Sequence, residues 1–334
     1  MRAKRSIIPV FVPHLGCPHG CVFCNQHKIS GSSSPADAET VRQAVINALE
    51  ICGENTNIQL AFYGGSFTAI PAHKQNELLG AALPFLRSGE ISSIRLSTRP
   101  DAIDTETLPR LKAYGVSTIE LGTQSMCDEV LLAAERGHTA QDTERAAALI
   151  KEHGFELILQ MMTGLPGDTK QRSLETAERI IALKPDGVRI YPTVIIEDTE
   201  LYTLWRQGEY SEHTLPQAVD WCAELVPMFE EAGIPIIRLG LNPTDDLSGG
   251  EAVGGAYHPA FGELVRSRLM LNRARELLRA AEPCGSAVLG VNKSRVSAMI
   301  GQHRCNLNIL KEEFSLNNVT VRETDLEKDM VVLL

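Results

Sequence analysis

The sequence predicts an α/β fold: a full or partial parallel barrel of about six strand–helix units, followed by a small α+β appendage. Short apolar segments alternate with helical periods from residue 7 to about residue 241. The segments are rich in Ile, Val and Leu without clean alternation, which is typical of parallel strands buried on both faces. A chain of 334 residues is long enough for one large barrel and an appendage.

Seven barrel strands are predicted, at Ile7–Pro13, Ile58–Tyr63, Ser93–Ser97, Thr118–Leu121, Leu157–Met161, Val188–Tyr191 and Ile236–Leu239. The first helix is predicted to begin at Ser34-Pro35, an N-cap and N1 pair, with Val41, Val45 and Leu49 along one face. Further helices are predicted near Lys74–Phe85, Thr105–Ala113, Ala140–His153 and Gln171–Leu183. In such barrels the chemistry lies at the carboxyl ends of the strands.

Three cysteines follow the first strand directly: Cys17, Cys21 and Cys24 in a C-x3-C-x2-C spacing. Three thiolates can hold three irons of a 4Fe-4S cluster, which normally takes four, so the fourth iron stays open. An open iron can chelate the amino and carboxylate groups of S-adenosylmethionine (SAM) and pass an electron to its sulfonium. The alternatives are a zinc site with His14 or His19 as fourth ligand, a disulfide pair, or three unrelated thiols.

The other five cysteines are Cys52, Cys127, Cys222, Cys284 and Cys305. Most have apolar neighbours, so we expect buried free thiols and a protein of the reducing cytoplasm. No apolar run is long enough for a transmembrane helix, and no membrane partner is expected. The basic N-terminus leads straight into the first strand and the cysteine loop, so we do not interpret it as a signal peptide.

The charge is unevenly distributed along the chain. A net charge of −10 argues against general affinity for nucleic acids. Leu264–Arg304, however, contains eight Lys or Arg and two Glu, a balance of +6, which leaves −16 for the remainder. An acidic body with a basic C-terminal segment indicates a separate role for that segment, although a solvated helix face would also explain its arginines.

Polar or glycine-containing strings follow four of the predicted strands. They are Gly64-Gly65-Ser66, Thr98-Arg99-Pro100-Asp101, Gly122-Thr123-Gln124-Ser125 with Arg136-Gly137-His138-Thr139 beyond it, and Gln160-Met161-Met162-Thr163-Gly164-Leu165-Pro166-Gly167. Each string alone would suit a polar cap or a tight turn. Four in succession, behind a cluster-type cysteine motif, predict a ligand site at this end of the barrel.

The cysteine motif resembles that of radical SAM enzymes, which form a 5′-deoxyadenosyl radical. The four strings, together with Tyr191-Pro192-Thr193-Val194-Ile195-Ile196, resemble the radical SAM part of the Elongator catalytic subunit over roughly residues 7 to 240. The resemblance implies a radical SAM partial (β/α)6 barrel that binds a 4Fe-4S cluster and SAM, with an electron donor such as flavodoxin or ferredoxin. The SAM contacts it implies are Phe23, Gly64, Gly65, Ser66, Thr98, Gln124, Arg136 and Gln160; Tyr191 is a candidate substrate contact.

Two features depart from that family. The Elongator subunit has a longer gap between its first two cysteines than this chain has between Cys17 and Cys21. The Elongator subunit also continues into an acetyltransferase domain, for which no room is expected before Leu334. Carboxymethyl chemistry that depends on acetyl-CoA is therefore not expected.

The glycine-rich stretch from Gly249 to Gly262 follows the barrel, and a helix is predicted from there to about Ala281. Tyr257 and His258 in this stretch are candidate substrate contacts; a plain linker is the alternative. We expect three regions: residues 1–245 as the radical SAM barrel, residues 246–282 as the glycine-rich loop and basic helix, and residues 283–334 as a small α+β domain.

The last region is predicted to run strand Ala287–Val291, helix Lys293–Gly301, helix Cys305–Phe314, and strands Val319–Arg322 and Met330–Leu333. This order resembles a KH-type module, in which a G-x-x-G turn clamps single-stranded RNA. Here Arg304 stands at the second glycine of Gly301-Gln302-His303-Arg304. Arg295 and Arg304 are therefore candidate RNA contacts, and a domain that only caps the barrel is the alternative.

The sequence thus predicts a cytoplasmic radical SAM enzyme that acts on RNA, namely transfer RNA. An enzyme that acts on a small molecule is the first alternative, because the barrel also resembles oxygen-independent coproporphyrinogen oxidase. A non-enzymatic iron–sulfur RNA sensor is the second, although a sensor has no need of SAM-site strings at four strand ends.

Overall fold

A computed structural model describes residues 4–12, 20–25, 36–51, 56–241 and 250–334. Seven parallel strands form one sheet, in which each strand pairs with the next along the chain. The strands are β1 (Lys4–Phe11), β2 (Thr56–Tyr63), β3 (Ser93–Thr98), β4 (Val116–Gln124), β5 (Glu156–Thr163), β6 (Gly187–Pro192) and β8 (Ile236–Leu239). The sheet curls into a partial barrel, as predicted, with β1 and β8 at its two edges.

Helices alternate with the strands, and most of them cover the outside of the sheet. They are α1 (Ala38–Ile51), α2 (Ala72–Ser88), α3 (Thr107–Ala113), α4 (Asp128–Ala133), α5 (Ala140–Glu152), α6 (Lys170–Ala182), α7 (Glu200–Gln207) and α8 (Leu215–Glu231). The described part of α1 begins at Ala38 rather than at Ser34-Pro35, which lies outside the described residues. Asp37 is its cap, because Oδ1 of Asp37 accepts the backbone N–H of Thr40 at 2.8 Å.

The glycine-rich stretch contains a strand that the sequence did not predict. β9 (Ala252–Gly255) pairs antiparallel with β7 (Val194–Ile196), which lies just beyond β6. At Gly255 φ is +82°, and a Cβ there would lie 2.7 Å from the carbonyl oxygen of Thr193. Glycine is therefore required for the two strands to approach each other. This small sheet lies beside the carboxyl ends of the barrel strands.

The long helix α9 (Phe261–Ala281) joins two hydrophobic cores. Its first half, through Val265 and Leu269, packs into the barrel core, while Met270, Ala274 and Leu278 pack into a second core. The second core belongs to the C-terminal region, so α9 is shared and does not form a unit of its own. The three region boundaries given above remain a prediction.

The C-terminal region has the predicted order of elements. They are β10 (Ser286–Asn292), a 3-10 turn at Lys293–Arg295, α10 (Val296–Ile300), α11 (Cys305–Glu313), β11 (Asn318–Thr324) and β12 (Val331–Leu333). β10 is central, parallel to β11 and antiparallel to β12. Among the described residues, no helix is both long and apolar enough to cross a membrane.

Candidate active site

A chamber of about 230 Å³ lies at the carboxyl ends of the barrel strands. Residues of the cysteine loop and of the carboxyl ends of β2 to β6 form its walls. Its lining includes Cys24 and all eight predicted SAM contacts, namely Phe23, Gly64, Gly65, Ser66, Thr98, Gln124, Arg136 and Gln160. The structure thus brings together side chains that are up to 137 positions apart in the sequence, from Phe23 to Gln160.

Two of the three motif cysteines are described, and Cys17 lies outside the described residues. Cys21 is buried, Cys24 is half-buried, and neither is in a disulfide. The backbone between them is anchored on both sides of Val22, which donates to the carbonyl of Ala134 at 3.3 Å and accepts from Leu201 at 2.7 Å. Helices α4 and α7 therefore fix the cysteine loop against the barrel.

Arg136 connects the cysteine loop to the end of β4. Its Nη1 donates to Sγ of Cys21 at 3.1 Å, and its Nη2 donates to the carbonyl oxygen of Gly122 at 2.8 Å. Nε of Arg136 is buried and has no hydrogen-bond partner among the described atoms. A buried guanidinium with an unused N–H is suited to an anionic group or a thiolate.

The Thr98-Arg99-Pro100-Asp101 string contacts the backbone of Arg136. The guanidinium of Arg99 forms an ion pair with Asp101 and also donates to the backbone carbonyl of Arg136. His138 lies in the same layer, where burial lowers its pKa to about 4, aided by the charges of Arg136 and Arg99. His138 is therefore neutral at pH 7, and the positive charge near the cysteines comes from the arginines.

A pair of glutamines spans the chamber from β4 to β5. Nε2 of Gln160 donates to Oε1 of Gln124 at 2.9 Å. Gln124 has φ of +65°, in the left-handed region that residues other than glycine rarely adopt, and the pairing of β4 with β5 shifts by one residue there. Such strain at the end of a strand is typical of functional sites.

The glycine string after β2 forms the opposite wall. Gly64 has φ of +90°, and a Cβ there would lie 3.3 Å from the ring of Phe11. Ser66 accepts the backbone N–H of Arg99 at 3.1 Å, and the hydroxyl of Thr98 lies 2.6 Å from that of Thr68. Ser66 and Thr98 therefore hold two strand ends together, in addition to lining the chamber.

Glycine is also required in the string after β5. Gly164 has φ of +77°, and a Cβ there would overlap the ring of His213 at 2.2 Å. The ring of His213 lies 4.4 Å from that of Trp221, and Asp168 accepts the Gly164 N–H at 2.8 Å. Burial raises the pKa of Asp168 to about 6 and lowers that of His213 to about 4. This string packs against α8 and supports the chamber from outside.

A polar cluster inside the barrel was missed by the sequence analysis. Glu120 of β4 is buried and binds two guanidinium groups, with Arg95 Nη1 at 2.7 Å and Arg189 Nε at 2.8 Å. Tyr63 donates its hydroxyl to Glu120 at 2.8 Å and accepts from Arg189 at 3.0 Å. Burial, followed by the charge of Glu120, raises the pKa of the Tyr63 phenol. Two arginines against one carboxylate leave this cluster with a net positive charge.

A sequence signal for that cluster does exist. Arg95, Glu120 and Arg189 each stand between two large aliphatic residues in the middle of a predicted strand. A charged side chain in such a position is buried by its own strand and therefore needs a partner. The three lie on β3, β4 and β6 of one parallel sheet, so the buried carboxylate and the two guanidinium groups predict one another as partners.

The candidate substrate contacts are divided between the chamber and its surroundings. Tyr191 lines the chamber. Val194 and Ile196 also line the chamber, and Tyr257 packs against them in a small apolar cluster outside it. His258 accepts the backbone N–H of Ala260 at 3.1 Å through Nδ1, next to the start of α9. The structure therefore brings Tyr191, but neither Tyr257 nor His258, to the chamber lining.

Most arginines of the basic segment are occupied by acidic partners. Arg266 and Arg295 pair with Asp329, Arg275 and Arg279 pair with Glu313, Arg268 pairs with Asp220, and Arg273 donates to the carbonyl of Asp329. With Glu230, which also pairs with Arg266, four carboxylates from outside the segment lie against it and reduce its excess from +6 to +2. Arg304 is exposed, and no carboxylate of the described chain pairs with it.

The remaining cysteines differ from the expectation of buried thiols. Cys222 is buried, and burial raises the pKa of its thiol to about 12. Cys127 is half-buried, whereas Cys284 and Cys305 are exposed. Cys52 lies outside the described residues. Apolar neighbours in the sequence did not predict burial for Cys284 and Cys305, because Cys284 lies in the loop between α9 and β10 and Cys305 is the first residue of α11.

The residues present fit a cluster and a charged cofactor. Cys24 of the motif lines the chamber, Cys21 contacts the guanidinium of Arg136, and the buried Nε of Arg136 and Nη1 of Arg99 have no partner among the described atoms. Glycines 64 and 65 leave room for close approach to the wall. A parallel partial barrel with these groups at its strand ends defines a cofactor-dependent enzyme.

The chain belongs to the radical SAM superfamily. The family model of that superfamily matches residues 11–180, and that of the radical SAM C-terminal domain matches residues 185–270. Enzymes of this superfamily use a 4Fe-4S cluster and SAM. The prediction of a radical SAM enzyme is thereby confirmed, and the zinc and disulfide alternatives are set aside.

Two curated relatives illustrate the Elongator-like character. The chain is 28% identical over 255 residues to the tRNA uridine(34) acetyltransferase of Methanocaldococcus jannaschii. This alignment covers 64% of this chain and 47% of the relative. It is 28% identical over 191 residues to human Elongator complex protein 3, which covers 51% of this chain and 35% of the relative. The chain thus spans about half the length of these relatives or less.

Solved structures show the same fold. The archaeal Elp3 of Methanocaldococcus infernus superimposes with a TM-score of 0.64 at 21% identity, over 86% of this chain and 66% of that one. Coproporphyrinogen III oxidase from Escherichia coli superimposes with a TM-score of 0.50 at 20% identity, over 70% of this chain and 54% of that one. At these identities the likeness concerns the fold alone.

Proposed function

We propose that this protein cleaves SAM reductively at a 4Fe-4S cluster held by Cys17, Cys21 and Cys24, and that it thereby modifies a nucleotide of transfer RNA. The observation that carries the proposal is the chamber itself. Cys24, Arg136 and the Gln124–Gln160 pair come from separate parts of the chain and converge on one space.

The chain's own residues have distinct parts in this proposal. When bound, the cluster supplies one electron to the SAM sulfonium. The Arg136 guanidinium would bind the cofactor's carboxylate and, through its contact with Cys21, hold the cysteine loop in place. The glutamine amides would orient the cofactor by hydrogen bonds across the chamber.

Apolar side chains keep this space dry. Phe23, Met162 and Val194 line the chamber, and Val194 and Ile196 are covered from outside by β9 and Tyr257. Exclusion of water protects a reactive intermediate from side reactions. The protein therefore positions the cofactors and the substrate and shields them from water, while the cofactors supply the difficult chemistry.

Two observations support an RNA substrate. The relatives named above carry tRNA uridine(34) or Elongator in their names. In the C-terminal region Arg304 has φ of +63°, the backbone conformation that a second turn glycine would adopt without strain. We infer that this KH-like turn binds single-stranded RNA through Arg304. We further infer that the protein works in the reducing cytoplasm, where a flavodoxin or ferredoxin supplies electrons.

The experiment is release of 5′-deoxyadenosine by anaerobically reconstituted protein, with and without bulk transfer RNA. We expect RNA to stimulate release, nuclease-digested RNA not to, and mass spectrometry of the nucleosides to reveal a new modification. Arg304→Ala should reduce the salt dependence of RNA binding by about 0.7 log units per log unit of salt. Release that RNA never stimulates would contradict the RNA substrate and favour a small-molecule substrate.

A further inference from the structure

A second chamber of about 470 Å³ adjoins the first on the inner face of the barrel. The two chambers share Gly64, Ser97, Glu120, Gln160 and Tyr191 in their linings. Phe11 of β1 and Arg238 of β8 also line the second chamber. These strands are the two edges of the sheet, so the second chamber occupies the barrel interior and extends to the seam where the described barrel is open.

Two arginines stand side by side at this seam. Arg189 of β6 and Arg238 of β8 are register partners on neighbouring parallel strands, and both line the chamber. The register shifts between Val188 and Arg189, which leaves Ile237 as an extra residue in β8 and brings Arg238 opposite Arg189. Glu120 engages Arg189, whereas no carboxylate of the described chain pairs with Arg238.

Apolar side chains line part of the same chamber. Ile7 of β1 is 39% exposed and Ile237 of β8 is 41% exposed, both toward a space that Phe11 also lines. Exposed aliphatic side chains beside the Arg238 guanidinium, which no described carboxylate neutralises, form a site with apolar and cationic parts. A ligand that fits it has a flat apolar body and an anionic group.

We propose that Arg238, together with Arg189, binds the phosphate of one nucleotide whose base lies between the apolar side chains of this chamber and the polar cluster of Glu120. This inference rests on the proposed RNA function and adds the substrate site to it. The chamber volume lies in the range of small-ligand sites, roughly 300–1,000 Å³, so it admits a single nucleotide and excludes a duplex. The target nucleotide must therefore be unpaired or extruded.

The test measures binding of uridine 3′,5′-bisphosphate, uridine and succinate to the anaerobically reconstituted holoenzyme by calorimetry. We expect the bisphosphate to bind more tightly than uridine, and Arg238→Gln to weaken only the bisphosphate, by about tenfold. Arg238→Lys should keep part of the affinity, because it retains the charge without the guanidinium fork. Arg145→Gln, an exposed arginine of α5 remote from the seam, is the matched control and should bind like the wild type.

Bisphosphate affinity unchanged in both Arg238 variants would overturn the site. If transfer RNA still stimulated 5′-deoxyadenosine release from the wild type, the proposed function would survive that result. Binding of succinate, but not of the bisphosphate, in an Arg238-dependent way would overturn the nucleotide assignment in favour of a carboxylate substrate. Failure of RNA to stimulate the wild type would instead contradict the proposed function itself.

Discussion

The Arg136 guanidinium lies 3.1 Å from Sγ of Cys21, although the two residues are 115 positions apart. Arg136 also donates to the carbonyl of Gly122 at the end of β4, so it ties the cysteine loop to the barrel. Hydrogen bonds to cluster sulfurs and nearby charges tune the reduction potential of iron–sulfur clusters. A cluster held at Cys21 would therefore be subject to the charge and the hydrogen bond of Arg136, which the cysteine motif alone does not show.

Arg136→Gln should lower the cluster's midpoint potential. A cation and its hydrogen bond favour the reduced, more negative cluster, and their loss removes that stabilisation. A charge-assisted hydrogen bond of about 1.5 kcal/mol corresponds to roughly 60 mV for a one-electron couple. Anaerobic potentiometry followed by electron paramagnetic resonance measures the shift, with Arg145→Gln as the unshifted control. An unchanged potential in a variant with full iron and sulfide would show that the contact does not act on the cluster.

Gly122→Ala should weaken SAM binding without unfolding the protein. A Cβ at Gly122 would lie 3.0 Å from Nε2 of Gln124 and 3.2 Å from Nη2 of Arg136, so both ends must move. The backbone there is not left-handed, so alanine itself is tolerated. We expect about a tenfold loss of SAM affinity by calorimetry, equivalent to one hydrogen bond to a charged group.

Gly80→Ala is the matched control for that variant. Gly80 lies inside α2, and apart from its chain neighbours and the backbone of its own helix no described atom lies within 4 Å of the position that a Cβ would take there. Alanine should stabilise the helix at this position by about 0.5–1 kcal/mol and leave SAM affinity unchanged. Equal SAM affinities for Gly122→Ala and Gly80→Ala would exclude a role for the Gly122 contact.

Substitutions of Gln124 should change folding stability and SAM affinity in different ways. Its φ of +65° suits glycine better than any side chain, whereas its amide accepts the bond from Gln160. Both Gln124→Gly and Gln124→Ala should lose SAM affinity, but the glycine variant should be more stable than the alanine variant by about 1 kcal/mol. Denaturant unfolding compares the two; equal stabilities would mean that the backbone relaxes.

His213 should make the fold sensitive to acid. Burial lowers its pKa to about 4, so the folded protein keeps it neutral, while the unfolded chain takes up a proton below its ordinary value of 6.5. The stability that depends on a neutral, buried His213 is therefore fully present above about pH 6.5 and is lost as the pH falls toward 4. Between pH 7 and pH 5 the loss is about 2 kcal/mol.

His213→Gln isolates that effect, with the fluorescence of Trp221 as the probe because the two rings are in contact. The wild type should lose about 2 kcal/mol more of its unfolding free energy than the variant between pH 7 and pH 5. Asp168 titrates in the opposite sense and is present in both proteins, so the comparison cancels it to first order. Parallel pH profiles for the two proteins would refute the assignment.

The sequence predicted the barrel well because its signals are local. All seven strands were placed by their apolar composition, and the strand-end rule brought Gln124 and Gln160 to one chamber. What it missed depends on pairing in space. Charge counts along the chain could not show that Asp329 and Glu313 neutralise the arginines of α9, nor that β9 would pair with β7.

Cleavage of SAM at a cluster held by the cysteine motif underlies every other proposal made for this protein. It is tested most directly by iron and sulfide content together with 5′-deoxyadenosine release under strong reductant, in the wild type and in the Cys17, Cys21 and Cys24 to alanine triple variant. We expect one oxygen-sensitive cluster and release of 5′-deoxyadenosine by the wild type, and neither by the variant, whereas Cys222→Ala and Cys305→Ala should keep both. Full iron and sulfide in the triple variant, or a wild type with an intact cluster that never cleaves SAM, would contradict it.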